Sequence, residues 1–230
     1  MENFAHKLSG LLDEKAPIVF FQDGFFRISS VVVTTWIIMA ILFITIFILT
    51  RKLSKVPTTK RQVVAENIVG WFRSFAVDLV GPKGLQMAGA LAAIFITIFM
   101  MNFIWFIPIL ESPTASYSTT AALAIVGFIY SQYVIVKNKG AGAYLKGYFQ
   151  PLGFMVVFNV IDLFTRPLSL SVRLFGNLFT GGILVGVLYA IMPFLVPLPI
   201  HFLELLTGTI QAYVFALLIG IYASEGLEEE

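Results

Sequence analysis

Long apolar runs dominate this chain. Ile28–Thr50 carries no charged residue and matches the ~20 residues that cross a hydrocarbon core of ~30 Å. A basic stretch, "RKLSKVPTTKR", follows it, with a proline that stops any helix. Over Val63–Val80 the pattern changes. Val64, Ile68, Trp71, Phe72, Phe75 and Leu79 recur at helical spacing on one side, and Glu66, Asn67, Arg73, Ser74 and Asp78 on the other. This predicts an amphipathic helix lying at a membrane interface. Uncharged spans return at Met87–Ile109 and Thr120–Val136, separated by the turn "PILESPTAS" and followed by a basic, Gly-rich loop, "KNKGAGAYLKGYFQP".

Gly153–Ile191 is apolar and too long for an upright crossing. As one helix it would reach on the order of 55–60 Å, so it must tilt strongly, kink at Pro167 or lie partly flat. "PFLVPLP" predicts a sharp turn, Ile200–Ala223 a last helix, and "SEGLEEE" a frayed acidic tail. The fold class expected is an all-α polytopic membrane protein with about five crossings and one interfacial helix. Residues 1–27 form an extracytoplasmic N-terminal segment, and the last two helices form a tilted hairpin.

Composition agrees. The 230 residues are 58% hydrophobic and only 12% charged, against ~25% charged in soluble domains. The net charge of +2 says little about partners, and the basic residues sit in short loops, which argues against nucleic acid. With no cysteine, disulfide and thiolate chemistry are excluded. The N-terminus lacks a signal-peptide pattern and is expected to remain on the mature protein. Arg51, Lys52, Lys55, Lys60 and Arg61 crowd the first loop and Lys137, Lys139 and Lys146 the third, whereas the other two turns have no Lys or Arg. The basic loops should face the cytoplasm, with the N-terminus outside and the C-terminus inside.

Polar residues inside the apolar runs are the candidate chemistry. Asp162, Arg166, Ser169, Arg173, Asn177 and Thr180 follow one another at intervals of three or four, forming one stripe of a helix. Asp162 and Arg166 can pair. Arg173 has no acid within a turn on either side and cannot shed its proton, so its partner must come from elsewhere. The last helix carries a second stripe, His201, Glu204, Gly208, Gln211 and Phe215. The two stripes can face each other, with Gly176, Gly181, Gly182, Gly186 and Gly208 permitting close approach. Plainer readings stand beside these. Asp162 and Arg166 can snorkel to the headgroups, His201 can be a surface residue, Gln211 can be helix–helix glue, and Asn102 can be a packing hydrogen bond. An intramembrane acid meeting Arg173 would be driven to ionise. If it moved, it would be a proton carrier.

"PLSLSVRLFGN" followed by "GG", "LLTGTIQAYVFALLIGIY" and "MNFIWFIP" together resemble subunit a of the F-type ATP synthase. The likeness runs from roughly Arg51 to Ala223. It implies a stator subunit, itself non-catalytic and without a cofactor or metal, in a bacterial cell membrane. Implied partners are a ring of small proteolipid (c-type) subunits, each with one carboxylate, the peripheral-stalk (b-type) subunits, and lipid. Arg173 matches the family's essential arginine between two aqueous half-channels, and Asn177 and Gln211 match polar residues near it. The chain departs from the pattern elsewhere. Many members have an acid at the position of Gly182 and a His at that of Glu204, which reads as one carboxylate function moved across a helix pair, with His201 one turn away. Asn159, with Asp162 nearby, stands where some members have an acid, and Trp105 where some have an Asp.

Other classes fit less well. A secondary transporter would show paired repeats with broken helices, and none is found. An intramembrane hydrolase would need HExxH, GxSxG or paired aspartates. A non-conducting anchor would have no use for Arg173. No GxxxxGK[ST] phosphate loop is present.

Overall fold

A computed structural model of the chain describes residues 19–21, 28–51, 60–104, 112–147, 155–191 and 197–228. Seven helices occupy most of these: α1 (Ser30–Thr50), α2 (Lys60–Val80), α3 (Ala88–Phe103), α4 (Tyr117–Lys139), α5 (Ala141–Gly147), α6 (Met155–Ile191) and α7 (Pro197–Glu228). Short 3-10 turns lie at Pro82–Gln86 and Pro113–Ala115. The protein is an all-α polytopic membrane protein. Its one β element among the described residues is a minimal antiparallel hairpin, β1 (Val19–Phe21) with β2 (Ile28–Ser29). Because β2 takes Ile28 and Ser29, the first apolar helix starts at Ser30.

Four helices, α1, α4, α6 and α7, are long and apolar enough to cross a membrane. The fifth apolar helix, α3, has 16 residues and rises about 24 Å. Large side chains point outward from these helices, including Phe43, Val126, Ile129 and Phe164, each at least 60% exposed. In water that surface would be costly; against lipid it is not.

The core lies where α3, α4, α6 and α7 meet. Leu91, Ile98, Ala124, Val134, Leu170, Leu174, Phe215 and Ile219 are all nearly inaccessible there. α2 packs on α3 and α7 through Phe72, Ala76 and the Phe75 ring, whose centroid is 5.4 Å from that of Tyr213. Its polar side is exposed, as the pattern predicts, but its apolar stripe divides. Phe72 is buried against the bundle, whereas Val64, Ile68 and Trp71 remain about half exposed.

Three expectations for the connections need correction. The basic loop after the third span is partly helical: α4 continues through Lys139, Gly140 turns at φ +85°, and α5 follows. The positive φ suits glycine, and its N–H still closes on Val136 O at 2.8 Å. Pro197 and Pro199 belong to the first turn of α7, a position where a missing N–H is harmless; residues 193–196 of the expected turn lie outside the described residues. The acidic tail is not frayed over its whole length, because Ser224–Glu228 completes α7.

α6 runs unbroken through Pro167 for 37 residues, about 55 Å. Arg166 bonds Glu225, Gly181 faces Glu204, and Tyr189 meets His201. These pairs advance in opposite directions along α6 and α7, so the helices form an antiparallel hairpin.

Candidate functional site

The site is built on that hairpin. On α6, Leu170, Leu174, Leu178 and Val185 face the core. A helix turning 100° per residue then puts Leu168, Val172 and Phe179 on the opposite side and Arg173 on the flank between that side and the core; all four are exposed. Arg173 therefore projects outward from the polar stripe, beside the apolar outer face of Leu168, Val172 and Phe179. Among the described residues it makes no hydrogen bond or ion pair. Ser169 and Thr180 are also exposed, and Asn159 and Asn177 are half-buried.

Arg166, two turns earlier, is treated differently. It donates to Glu225 Oε2 at 2.8 Å and to Asp162 Oδ2 at 3.4 Å, and its guanidinium lies 4.9 Å from the Tyr222 ring centroid. The sequence-predicted pair with Asp162 forms, and a shorter bond to α7 is added. The sequence reading missed Glu225 and Tyr222. Their spacing of three on one helix was the available signal, obscured by treating "SEGLEEE" as a solvated tail.

A second polar cluster sits toward the other end of the hairpin. His201 Nδ1 is 3.7 Å from Glu204 Oε2, and His201 Nε2 is 3.3 Å from the Tyr189 hydroxyl. The Glu204 carboxyl packs on α6 at Gly181. A Cβ added there would lie 2.8 Å from Glu204 Cδ and 3.1 Å from Cγ, and would overlap Oε1. Gly181 thus makes room for Glu204, and its neighbour Gly182 is also buried.

The two predicted stripes do not face each other along their length. The polar stripe of α6 turns outward, while that of α7 turns inward: Gly208 and Phe215 are buried. Gly176 and Gly186 have nothing within 4 Å of an added Cβ, so they do not mediate close packing within the chain. Gly208 does, but against α3, where Asn102 Nδ2 donates to Gly208 O at 2.8 Å. Asn102 Oδ1 in turn accepts from Thr114 Oγ1 at 2.8 Å, and the Ser112 hydroxyl meets both Thr114 Oγ1 and Met101 O at 2.8 Å. Asn102 is a helix-joining residue. Gln211 is half-buried, and its Nε2 is buried with no partner among the described residues. Trp105 lies outside the described residues.

Seven residues separate Arg166 from Arg173 and eight separate Arg173 from Gly181, rises of about 10 and 12 Å. The unpaired guanidinium thus sits about midway along α6 between two carboxylate clusters.

The ATP synthase A chain family matches residues 32–224. The chain belongs to that family. It is 41% identical over 206 residues to ATP synthase subunit a of Moorella thermoacetica, covering 90% of this chain and 94% of the relative. It is 38% identical over 208 residues to that of Albidiferax ferrireducens, covering 89% of each. With ATP synthase subunit a 1 of Crocosphaera subtropica it shares 36% over 211 residues, 91% of this chain and 92% of the relative. Membership of the ATP synthase A chain family, with the apolar helices, makes this a multi-pass membrane protein of ATP synthesis and proton transport. The matched segment contains Arg173, the His201–Glu204 cluster and, of the other cluster, Asp162, Arg166 and Tyr222, and ends one residue before Glu225.

Proposed function

We propose that the chain is the non-catalytic proton-conducting stator subunit of an ATP synthase. It passes protons through two offset half-channels against a rotating ring of small proteolipid subunits. The supporting observation is the position of Arg173, exposed on the outward side of α6, without a hydrogen-bond or ion-pair partner among the described residues, and flanked along the helix by one acidic cluster on each side. The Glu204–His201 end belongs to the outer half-channel, with His201 at its mouth. The Asp162–Glu225 end, with Asn159, belongs to the cytoplasmic one. Asn177 and Gln211 supply polar groups near Arg173.

The chemistry follows from a fixed cation on a surface that a partner covers. A ring carboxylate in lipid prefers to be neutral; beside Arg173 it is driven to ionise and releases its proton to the exit path. Regaining a proton from the other half-channel lets it leave the arginine and re-enter lipid. A proton therefore crosses by riding the ring, and the arginine blocks a direct path. The peripheral stalk holds this subunit still while the ring turns.

The test is acidification of inverted vesicles with and without the catalytic sector. Arg173→Lys keeps charge but loses the planar fork and can deprotonate when desolvated, so it should fail in ATP-driven pumping almost as badly as Arg173→Ala. Arg173→Ala should in addition leak protons passively. Normal coupled pumping by Arg173→Ala, in vesicles containing the whole complex, would refute the mechanism.

A further inference from the structure

The Tyr189 hydroxyl, in the last turn of α6, reaches the His201 ring from the side opposite Glu204. Nε2 faces the hydroxyl at 3.3 Å and Nδ1 faces the carboxylate at 3.7 Å. The ring is therefore held between a group that can both donate and accept and a group that accepts when ionised and donates when protonated. We propose that Tyr189 is a positioning residue for proton uptake: it holds the imidazole with Nδ1 on Glu204 and sets which ring nitrogen carries the proton. This rests on the reading of Glu204 and His201 as parts of the outer half-channel.

The argument turns on two states of Glu204. While the carboxylate is ionised, Nδ1–H faces it at an ion-pair distance that a small side-chain movement closes to a hydrogen bond, and Nε2 accepts from the tyrosine hydroxyl. A proton from outer water adds to Nε2, and Nδ1 passes its own proton to a Glu204 oxygen. One N–H bond forms, one breaks, and one O–H bond forms, so the cluster has gained one proton. The ring is left neutral with its proton on Nε2, now donated to the tyrosine oxygen. After Glu204 hands its proton inward, the ring exchanges with water, losing a proton from Nε2 and gaining one at Nδ1. A hydroxyl serves both tautomers because it can reverse its role. A phenyl ring serves neither, and a lysine or carboxylate serves only one. Among the described residues, the titratable groups facing the imidazole are Tyr189 of α6 and Glu204 of its own helix.

Tyr189→Phe removes only the hydroxyl from a side chain that is 48% exposed, so little packing is at risk. The chain has two histidines, and a His6→Gln background leaves His201 as the single ring visible by 15N NMR. In the full-length chain in lipid vesicles at about pH 8.5, two units above the ordinary imidazole value of ~6.5, Tyr189→Phe should shift the His201 tautomer ratio toward Nε2–H. In inverted vesicles carrying the whole complex, the rate of ATP synthesis against luminal pH should shift by about half a unit or more, the effect of one ordinary hydrogen bond. An unchanged tautomer ratio would overturn the positioning role, and so would a changed ratio with an unchanged pH profile. Glu204→Gln is the separate control: if it leaves synthesis unaffected, the outer-channel reading itself fails, whatever the NMR result.

Discussion

Gly181→Ala separates the placement of the Glu204 carboxyl from the stability of the hairpin. The new methyl carbon would lie 2.8 Å from Glu204 Cδ. Non-bonded carbons prefer ~3.5 Å or more, so the carboxyl carbon must retreat by about 0.7 Å, and the overlapping Oε1 by about 1 Å. The obstacle is the end of a flexible side chain, not backbone, and the retreat costs an off-rotamer penalty of about 0.5–1.5 kcal/mol. Alanine in a helix interior is favoured over glycine by about 0.8–1 kcal/mol. The two terms nearly cancel, so the variant should fold and assemble with a stability within about 1 kcal/mol of the parent. Flux should respond much more strongly, because a displacement near 1 Å can cost on the order of 100-fold where groups must be aligned. ATP synthesis and ATP-driven acidification in inverted vesicles should fall about tenfold or more, with the subunit content of the membranes unchanged. Gly89→Ala is the matched control, since nothing lies within 4 Å of its added Cβ. Gly181→Ala running at the rate of Gly89→Ala would show that the seat of the carboxyl on α6 is not used. Loss of assembly would show that the glycine serves packing instead.

Two further outcomes are expected. Asn102→Ala removes a donation to Gly208 O and an acceptance from Thr114; at about 0.6–1.5 kcal/mol per bond, the solubilised chain should lose about 1–3 kcal/mol, and an unchanged unfolding transition would contradict the helix-joining role. Cysteines at Lys55 and Lys139 should be shielded from impermeant thiol reagents in intact cells while one at Ser116 is labelled, and the reverse pattern would invert the topology.

How much of this was legible depends on whether a feature belongs to one helix or to two. The α6 stripe is written in spacing, so its outer face, with Arg173 on it, follows from a repeat of three and four once the core side is known. Asp162 and Arg166 lie one turn apart on one helix, and their pairing was equally readable. Contacts across the hairpin were not. Periodicity gives each helix its faces but not its rotation, so which residue of α6 lies against Glu204, here Gly181, cannot be read from spacing alone. Tyr189 escaped notice because its partner lies on α7 across the turn, and Glu225 because a run of acids with small residues reads as tail. The inward rotation of the α7 stripe was hidden for a related reason. Asn102, on a different helix, claims Gly208, which turns that face toward α3.

The contrast between the two arginines of α6 bears most directly on function. They share a helix and are seven residues apart, and each must hold its charge. If guanidinium groups were simply accommodated wherever they occur, both would be furnished with acids. Arg166 has Asp162, Glu225 and the face of Tyr222 around it, and such an arrangement is close to self-sufficient. Arg173 has exposed Val172 beside it and, one turn away on either side, Ser169 and Asn177, neither of them an acid. No acid in that stripe offsets the charge. The sequence could have placed an acid a turn away at no cost to helix formation, as it did for Arg166. An acid there would neutralise the one charge able to act on a visiting carboxylate. On this argument the missing partner is the functional feature, and supplying one is harmful. An aspartate at Ser169, four residues before Arg173, would satisfy the guanidinium and remove the drive for the ring acid to ionise.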